Sequence, residues 1–366
     1  MSAKSWRWLA VGVAACLIIG CGDTGGKGPQ GGGELCDDGV DNDDDMAVDC
    51  RDDDCDGAAA CSFTELAAGR SHACGVLESG NVVCWGNNGE GQIGNGESAS
   101  APVEPVVVEG LDDMTDVAVG VRHSCALGSD GTVHCWGNNE RGQLGDDSFV
   151  SSPFPVEVSG VTSATELSAG GLHTCAVTNS ESSSRVHCWG SNRRWQVGAE
   201  LGDRARVPAE VASKGPHVVG ATDVASGIEH NCAMMPVGTQ GGNSVICWGN
   251  NLGGQHGIGD SELVQSIPRG LVREKSNDTE IRDFVAGSLA AGQNSTCAIR
   301  QGGSVWCWGD GTEGHFGDQE LVDTHYAVEY PGLGDAKRLW HAMFHVCAER
   351  DSGRIACWGD NGQLAF

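Results

Sequence analysis

The sequence predicts an all-β protein: a β-propeller of six repeats of about fifty residues, preceded by a small acidic, cysteine-rich segment. Three observations lead there. Glycine occurs 57 times in 366 residues without a collagen-like period, which implies many tight turns between short strands. The tripeptide Cys-Trp-Gly begins at Cys84, Cys135, Cys188, Cys247, Cys307 and Cys357, spaced by 51, 53, 59, 60 and 50 residues. Upstream of each stands a second cysteine: Cys74, Cys125, Cys175, Cys232, Cys297 and Cys347.

The chain opens with an address. Lys4 and Arg7 precede an apolar run from Trp8 to Ile19, too short for an ordinary membrane-spanning helix. The run ends in Ile18-Ile19-Gly20-Cys21, which resembles the lipobox of bacterial lipoproteins. That resemblance implies a signal peptide over residues 1–20, removal of Cys16 with it, and acylation of Cys21. Several acyl chains would anchor the protein stably, at roughly 0.8 kcal/mol per buried methylene. The expected location is therefore the cell envelope, outside the cytoplasm, on the outer membrane or cell surface. Residues 21–35 form a glycine-rich tether.

Residues 36–61 carry Cys36, Cys50, Cys55 and Cys61, whose three possible pairings stay open, among a dense run of aspartates. Such a tract repels itself unless a hard cation neutralises it. Asp41, Asp43, Asp45, Asp49 and Asp52 fall at positions one, three, five, nine and twelve of a calcium loop. Met46 replaces the turn glycine and Asp52 the bidentate glutamate of that pattern. Calcium binding is the expectation, and a solvated acidic spacer is the alternative.

The repeat domain spans residues 62–366. In repeats one, two, five and six the paired cysteines lie ten positions apart. If they face each other across an antiparallel hairpin, counting inward leaves the loops 78–80, 129–131, 301–303 and 351–353. Each ends in glycine, where a three-residue hairpin needs a left-handed residue. Repeats three and four keep the pairing with longer loops, around 181–185 and 236–244. Cross-strand neighbours of this kind can form a disulfide that stabilises by about 2–3 kcal/mol on the chain-entropy model. Six such bridges are expected. Alternation puts His72 and Cys74 on one face and Trp85 on the other. A sheet with bulk on both faces needs neighbours on both sides, as a propeller blade does. Inner strands are expected at 65–68, 116–119, 166–169 and 223–225, and proline-containing outer strands at 105–108 and 155–158.

The elements Gly-x-x-His-x-Cys, Asp-Gly-x-Val-x-Cys-Trp-Gly and the turn GNNERGQLG at 137–145 resemble the regulator of chromosome condensation repeat family. GNNGEGQIG at 86–94 and GNNLGGQHG at 249–257 repeat the turn, and GSNRRWQVG at 190–198 is a looser copy. The resemblance implies a propeller, usually of seven blades. Here six repeats are visible, so six blades, seven blades or an incompletely closed ring are the alternatives.

A net charge of −28 repels phosphate backbones, so no nucleic acid is expected as a partner. An exported chain is also kept away from GTPases. His72, His123, His173 and His230 could each join two cysteines on zinc, but that gives three ligands per repeat, and Ser295 breaks the series. Structural histidines beside disulfides are the expectation, with no cofactor other than calcium and no catalytic residue. Arg193, Arg194 and Trp195 interrupt the third turn and form a basic-aromatic cluster suited to a binding surface. The expected function is a non-catalytic scaffold at the cell surface that binds a protein or a glycan. The alternatives are an enzyme inhibitor or hydrolase working at the propeller rim, or a calcium-dependent structural component of the surface or matrix.

Overall fold

The computed structural model describes residues 62–180, 183–211, 218–237, 242–260, 264–265, 268, 270–312, 323–342 and 345–359. The leader, Cys21, the tether and the acidic segment with Asp41, Asp43, Asp45, Asp49 and Asp52 lie outside the described residues. From residue 62 onward six sheets follow one another along the chain, one per repeat.

Blade one is built from Phe63–Ala68, His72–Leu77, Val82–Asn88 and Ala99–Val107, hydrogen-bonded in that order. Blade two repeats the pattern with Met114–Val119, His123–Gly128, Val133–Gly137 and Ser152–Glu157. Blade three uses Ala164–Ala169, His173–Asn179, Ser184–Ser191 and Arg204–Glu210. Blade four uses Asp223–Ser226, His230–Val237, Gly242–Asn250 and Val264–Gln265. Blade five has a two-residue inner strand, Ala290–Ala291, followed by Ser295–Ile299, Val305–Gly309 and Thr324–Glu329. Blade six shows three strands among the described residues: Ala336–His341, His345–Arg350 and Ile355–Gly359. The inner strands of successive blades stand side by side.

Each central hairpin is in the register that places cysteine opposite cysteine. Cys74 faces Cys84, and Val76 pairs with Val82, which leaves the loop 78–80. Gly80 closes it at φ 83°, a left-handed conformation that side chains with a Cβ disfavour. All six pairs are bonded, with Cα–Cα distances of 4.0–4.1 Å. The extra residues of repeats three and four do more than widen a loop. They lengthen the ladder, to Asn179↔Ser184 in one and to Val237↔Gly242 in the other. Each added pair satisfies backbone groups that a longer open loop would leave to water.

One element has no counterpart in the repeat pattern. Arg273–Glu274 and Thr279–Glu280 form a small hairpin whose first strand runs parallel to Thr324–Glu329 at the outer edge of blade five. Arg300 clamps it: its guanidinium reaches Asp283 at 2.7 Å and Glu274 at 3.5 Å while lying over the Trp306 ring.

The core is divided among five clusters, each lying between two successive blades. In every one, the disulfide face of one blade packs against the tryptophan face of the next. Cys74, Cys84 and Ile93 meet Trp136; Cys125, Cys135 and Leu144 meet Trp189. Trp136, Trp189, Trp248 and Trp308 are completely buried, and large rings of this kind dominate core energetics. The tryptophans therefore serve as packing between blades.

Candidate functional site

The recurring polar side chains meet at the blade interfaces. His72 Nε2 lies 2.9 Å from Ser124 Oγ of the next blade. The contact recurs as His123 to Thr174 at 2.9 Å, His173 to Asn231 at 2.8 Å and His230 to Thr296 at 2.8 Å. Ser124, Thr174 and Asn231 in turn donate to the carbonyls of Gln92, Gln143 and Gln196 in the preceding blade's turn. The same carbonyls, with that of Gln255, accept the indole N–H of Trp136, Trp189, Trp248 and Trp308 at 2.9–3.0 Å. Each of these four interfaces is thus tied by a histidine in one direction and a tryptophan in the other.

Burial holds these imidazoles far below the ordinary histidine range, His72 and His173 to about 4 and His123 and His230 to about 3. They are neutral at pH 7 and available as single donors or acceptors. Where blade five has Ser295 in the histidine position, His341 of blade six supplies the ring instead, with Nε2 2.9 Å from Ser295 Oγ and Nδ1 2.7 Å from the Ala342 carbonyl. The distance resembles that of a nucleophile and its base, but Ser295 is fully buried, and a substrate carbonyl has no access to it. Among the described residues no group of three or more His, Cys, Asp or Glu side chains is arranged to hold a metal ion. The half-cystines are consumed by disulfides.

The axis of the ring encloses a cavity of about 720 Å³ bordered by the inner strands of all six blades. At the position four residues before the end-glycine of each of the first five inner strands stand Glu65, Asp116, Glu166, Asp223 and Ser288, and Arg338 stands four before Ala342 in blade six. Burial pushes Asp116, Glu166 and Asp223 up to about 7, and the neighbouring carboxylates add to the effect on Asp116 and Glu166. Glu65 is raised by burial and lowered by the Arg338 charge. Asp223, which is 6% exposed, accepts the backbone N–H of Leu289 in the next blade at 3.0 Å. Its carboxylate is a tie between blades as much as a channel charge. Sequence reasoning overlooked both this carboxylate series and the histidine ladder. The recurrence of an acid in the inner strand and of Ser, Thr or Asn between His and Cys was the available signal.

The outer end of the blades carries the turn 190–198. Arg193, Arg194 and Trp195 are all exposed there. They do not act as one cluster. Arg194 points to Glu229 of blade four at 3.5 Å, and Glu229 also accepts from Asn250. Glu90 occupies the same place in the first turn and pairs with Arg122 at 3.1 Å, so this interfacial ion pair occurs with both polarities. Arg194 is therefore explained by blade packing, which leaves Arg193 and Trp195. Trp195 sits at φ 63°, where the corresponding residues of the other turns are Gly91, Gly142 and Gly254 at φ 81–85°. Its backbone N–H donates to Asn192 and its carbonyl accepts from Gly198, the same two bonds that Gly142 makes. A Cβ on Gly142 would come within 2.7 Å of the Ala205 carbonyl, which shows how closely that turn abuts the next blade. At Trp195 a bulky side chain is carried instead, and it remains 36% exposed. A left-handed conformation costs an ordinary residue roughly 1–2 kcal/mol.

Profiles of the regulator of chromosome condensation (RCC1) repeat match residues 63–92, 114–143 and 288–314 in one form, and 79–127 and 130–177 in another. The ultraviolet-B receptor UVR8 of Arabidopsis thaliana is 28% identical over 265 residues, covering 70% of this chain and 56% of the receptor. The probable human E3 ubiquitin-protein ligase HERC6 is 34% identical over 71% of this chain but only 25% of its own length. This chain thus spans about half of the receptor and a quarter of the ligase. Among solved structures, human WBSCR16 superposes with a TM-score of 0.68 at 20% identity, covering 82% of this chain and 77% of that one. Prp20p of Saccharomyces cerevisiae does so at 0.66 and 21% identity, covering 82% and 72%. These two likenesses concern the fold alone. The chain is a six-bladed β-propeller of regulator of chromosome condensation repeats.

Proposed function

We propose that this protein is a lipid-anchored, extracytoplasmic propeller that binds a protein or glycan partner at the bacterial envelope without catalysing a reaction on it. Trp195 is the observation that carries the binding role. An exposed indole held where three sister turns use glycine is strain without a packing return, and strain of that kind collects at functional positions. Arg193 beside it supplies a charge on an otherwise acidic chain, and Trp and Arg are favoured at interface hot spots. The recurring histidines and hydroxyls, by contrast, are committed to holding blades together.

The envelope location rests on two features. Six disulfides, five of them buried, belong to an oxidising compartment, and Cys21 stands in the lipobox-like setting described above. Calcium on Asp41, Asp43, Asp45, Asp49 and Asp52 would neutralise the segment between anchor and propeller. Prp20p was described together with its binding to Gsp1p and histones, so that propeller engages proteins; those partners do not carry over to an exported chain.

The test is partner capture. Full-length protein and the double variant Arg193→Ala, Trp195→Gly are cross-linked on intact cells and their adducts compared. Loss of a specific adduct in the variant supports the reading. Identical adducts from both proteins would remove this rim from the binding surface.

A further inference from the structure

The turns of blades one to four each plug the junction to the next blade with the residue that follows their glutamine. In the first three turns that residue is Ile93, Leu144 or Val197, and each is completely buried. In the fourth it is His256, which is also 0% exposed. The backbone around it is unchanged. His256 N–H donates to Asn251 Oδ1 at 2.9 Å, as Ile93, Leu144 and Val197 donate to Asn88, Asn139 and Asn192. Its neighbours face the junction in the usual way: the Gln255 carbonyl takes the Trp308 indole N–H, and a Cβ on Gly257 would come within 2.9 Å of the Trp308 ring. The buried cluster there is apolar, with Val272, Phe284 and Trp308 beside the Cys232–Cys247 bridge. Neither ring nitrogen of His256 has a hydrogen-bond partner, whereas each ladder histidine keeps one through Nε2. A polar ring therefore occupies an aliphatic position with nothing to satisfy it.

Burial pushes this imidazole down to about 3, and the ionisable groups around the turn do not offset it. Glu229 is taken up by Arg194 and Asn250, and Asp260 by Asn251. Asp310 and His325 of blade five border Gly253 and Gly254. Arg273 donates its backbone N–H to Gly257 but turns its guanidinium to Asp278. Asp223 faces the axial end of the junction and is bound to Leu289. His230 shares the interior, and a charge on His256 lowers it further. The Gly249 carbonyl favours the charged ring without forming a hydrogen bond to it.

We propose that His256 makes the junction between blades four and five an acid-operated joint, in which a proton taken up by its ring draws the turn 249–257 out of the junction into water. The ladder histidine is common to the first four junctions, so the plug alone sets this one apart. A depressed histidine stabilises the closed form above its free value of 6.5 and loses that contribution as pH falls towards 3. Within that window each pH unit favours the open form about tenfold for one imidazole that becomes solvated.

Hydrogen exchange of the full chain, followed by mass spectrometry at pH 7 and pH 4.5 and corrected for intrinsic rates, tests this. On going to pH 4.5, opening of the turn 249–257 is expected to rise about a hundredfold more than that of the turns 86–94, 137–145 and 190–198. This comparison lies within one molecule and needs no variant. His256→Leu, which copies Leu144, should remove the excess while leaving protection at pH 7 at least as high as in the parent. An acid response no larger in the fourth turn than in the other three would overturn the proposal. So would an excess that persists in His256→Leu, since another group would then take up the proton.

Discussion

Replacing Asn231 by alanine isolates the tie between blades three and four. Its side chain is fully buried, accepts from His173 Nε2 at 2.8 Å and donates to the Gln196 carbonyl at 2.7 Å. The Gln196 carbonyl keeps a partner in the variant, because Trp248 Nε1 still donates to it at 2.9 Å. That bond therefore counts only as one lost hydrogen bond, about 1 kcal/mol. His173 Nε2 has no such reserve, and leaving a buried polar group unsatisfied costs about 1–3 kcal/mol. The expected destabilisation is about 3 kcal/mol, measured by guanidinium unfolding with disulfides intact. Ser159→Ala, a change in an exposed turn, serves as the control and is expected within about 0.5 kcal/mol of the parent. A loss below about 1 kcal/mol for Asn231→Ala would mean that the histidine ladder does not hold the blades together.

Other consequences follow from the same geometry. Trp195→Gly relieves a left-handed backbone and is expected to raise stability by about 1 kcal/mol while abolishing partner capture; a less stable variant would contradict the strain reading. Asp223 is raised from 3.8 to about 7 by burial, so its contribution is present at acid pH and is lost as pH rises through 7. Asp223→Asn should therefore gain about 2 kcal/mol at pH 8 and little at pH 5. An equal effect at both pH values would refute the assignment. The buried imidazoles of His72, His123, His173, His230 and His256 have depressed values, so their contribution is present above 6.5 and is lost as pH falls towards 4 and 3. With five of them against three raised carboxylates, the melting temperature should fall between pH 6.5 and 4. Calcium titrated into the full chain at millimolar concentration should give heat that is lost when Asp41, Asp43, Asp45, Asp49 and Asp52 are all changed to alanine.

The hairpins were legible because two constraints coincide in them. A ten-residue cysteine gap sets the ladder, and Gly80, Gly131, Gly303 and Gly353 sit where the loop turns left-handed, at φ 75–87°. Inner and outer strands followed from alternation and proline. The ties between blades were harder to see, since the contacts of His72, His123, His173 and His230 join residues 51 to 66 positions apart. Ser124, Thr174, Asn231 and Thr296 share one position but not one residue type, which hides them from simple motif reading. At that position blades one and six carry Ala73 and Val346, apolar residues that leave the histidine ladder without a hydroxyl or amide there. The hairpin at 273–280 was not foreseeable from the repeat, because its strands are two residues long and depend on the edge of blade five for pairing. Arg194 read as part of a binding cluster because its partner, Glu229, lies in the next repeat.

The most direct test of the central claim is mass spectrometry of the protein purified from bacterial membranes, with and without reduction. An anchored extracytoplasmic propeller predicts a mature chain beginning at an acylated Cys21 and six bridges, each within one repeat. Free thiols in the repeats and an uncleaved, unmodified N-terminus would contradict it, and would return the chain to the cytoplasm.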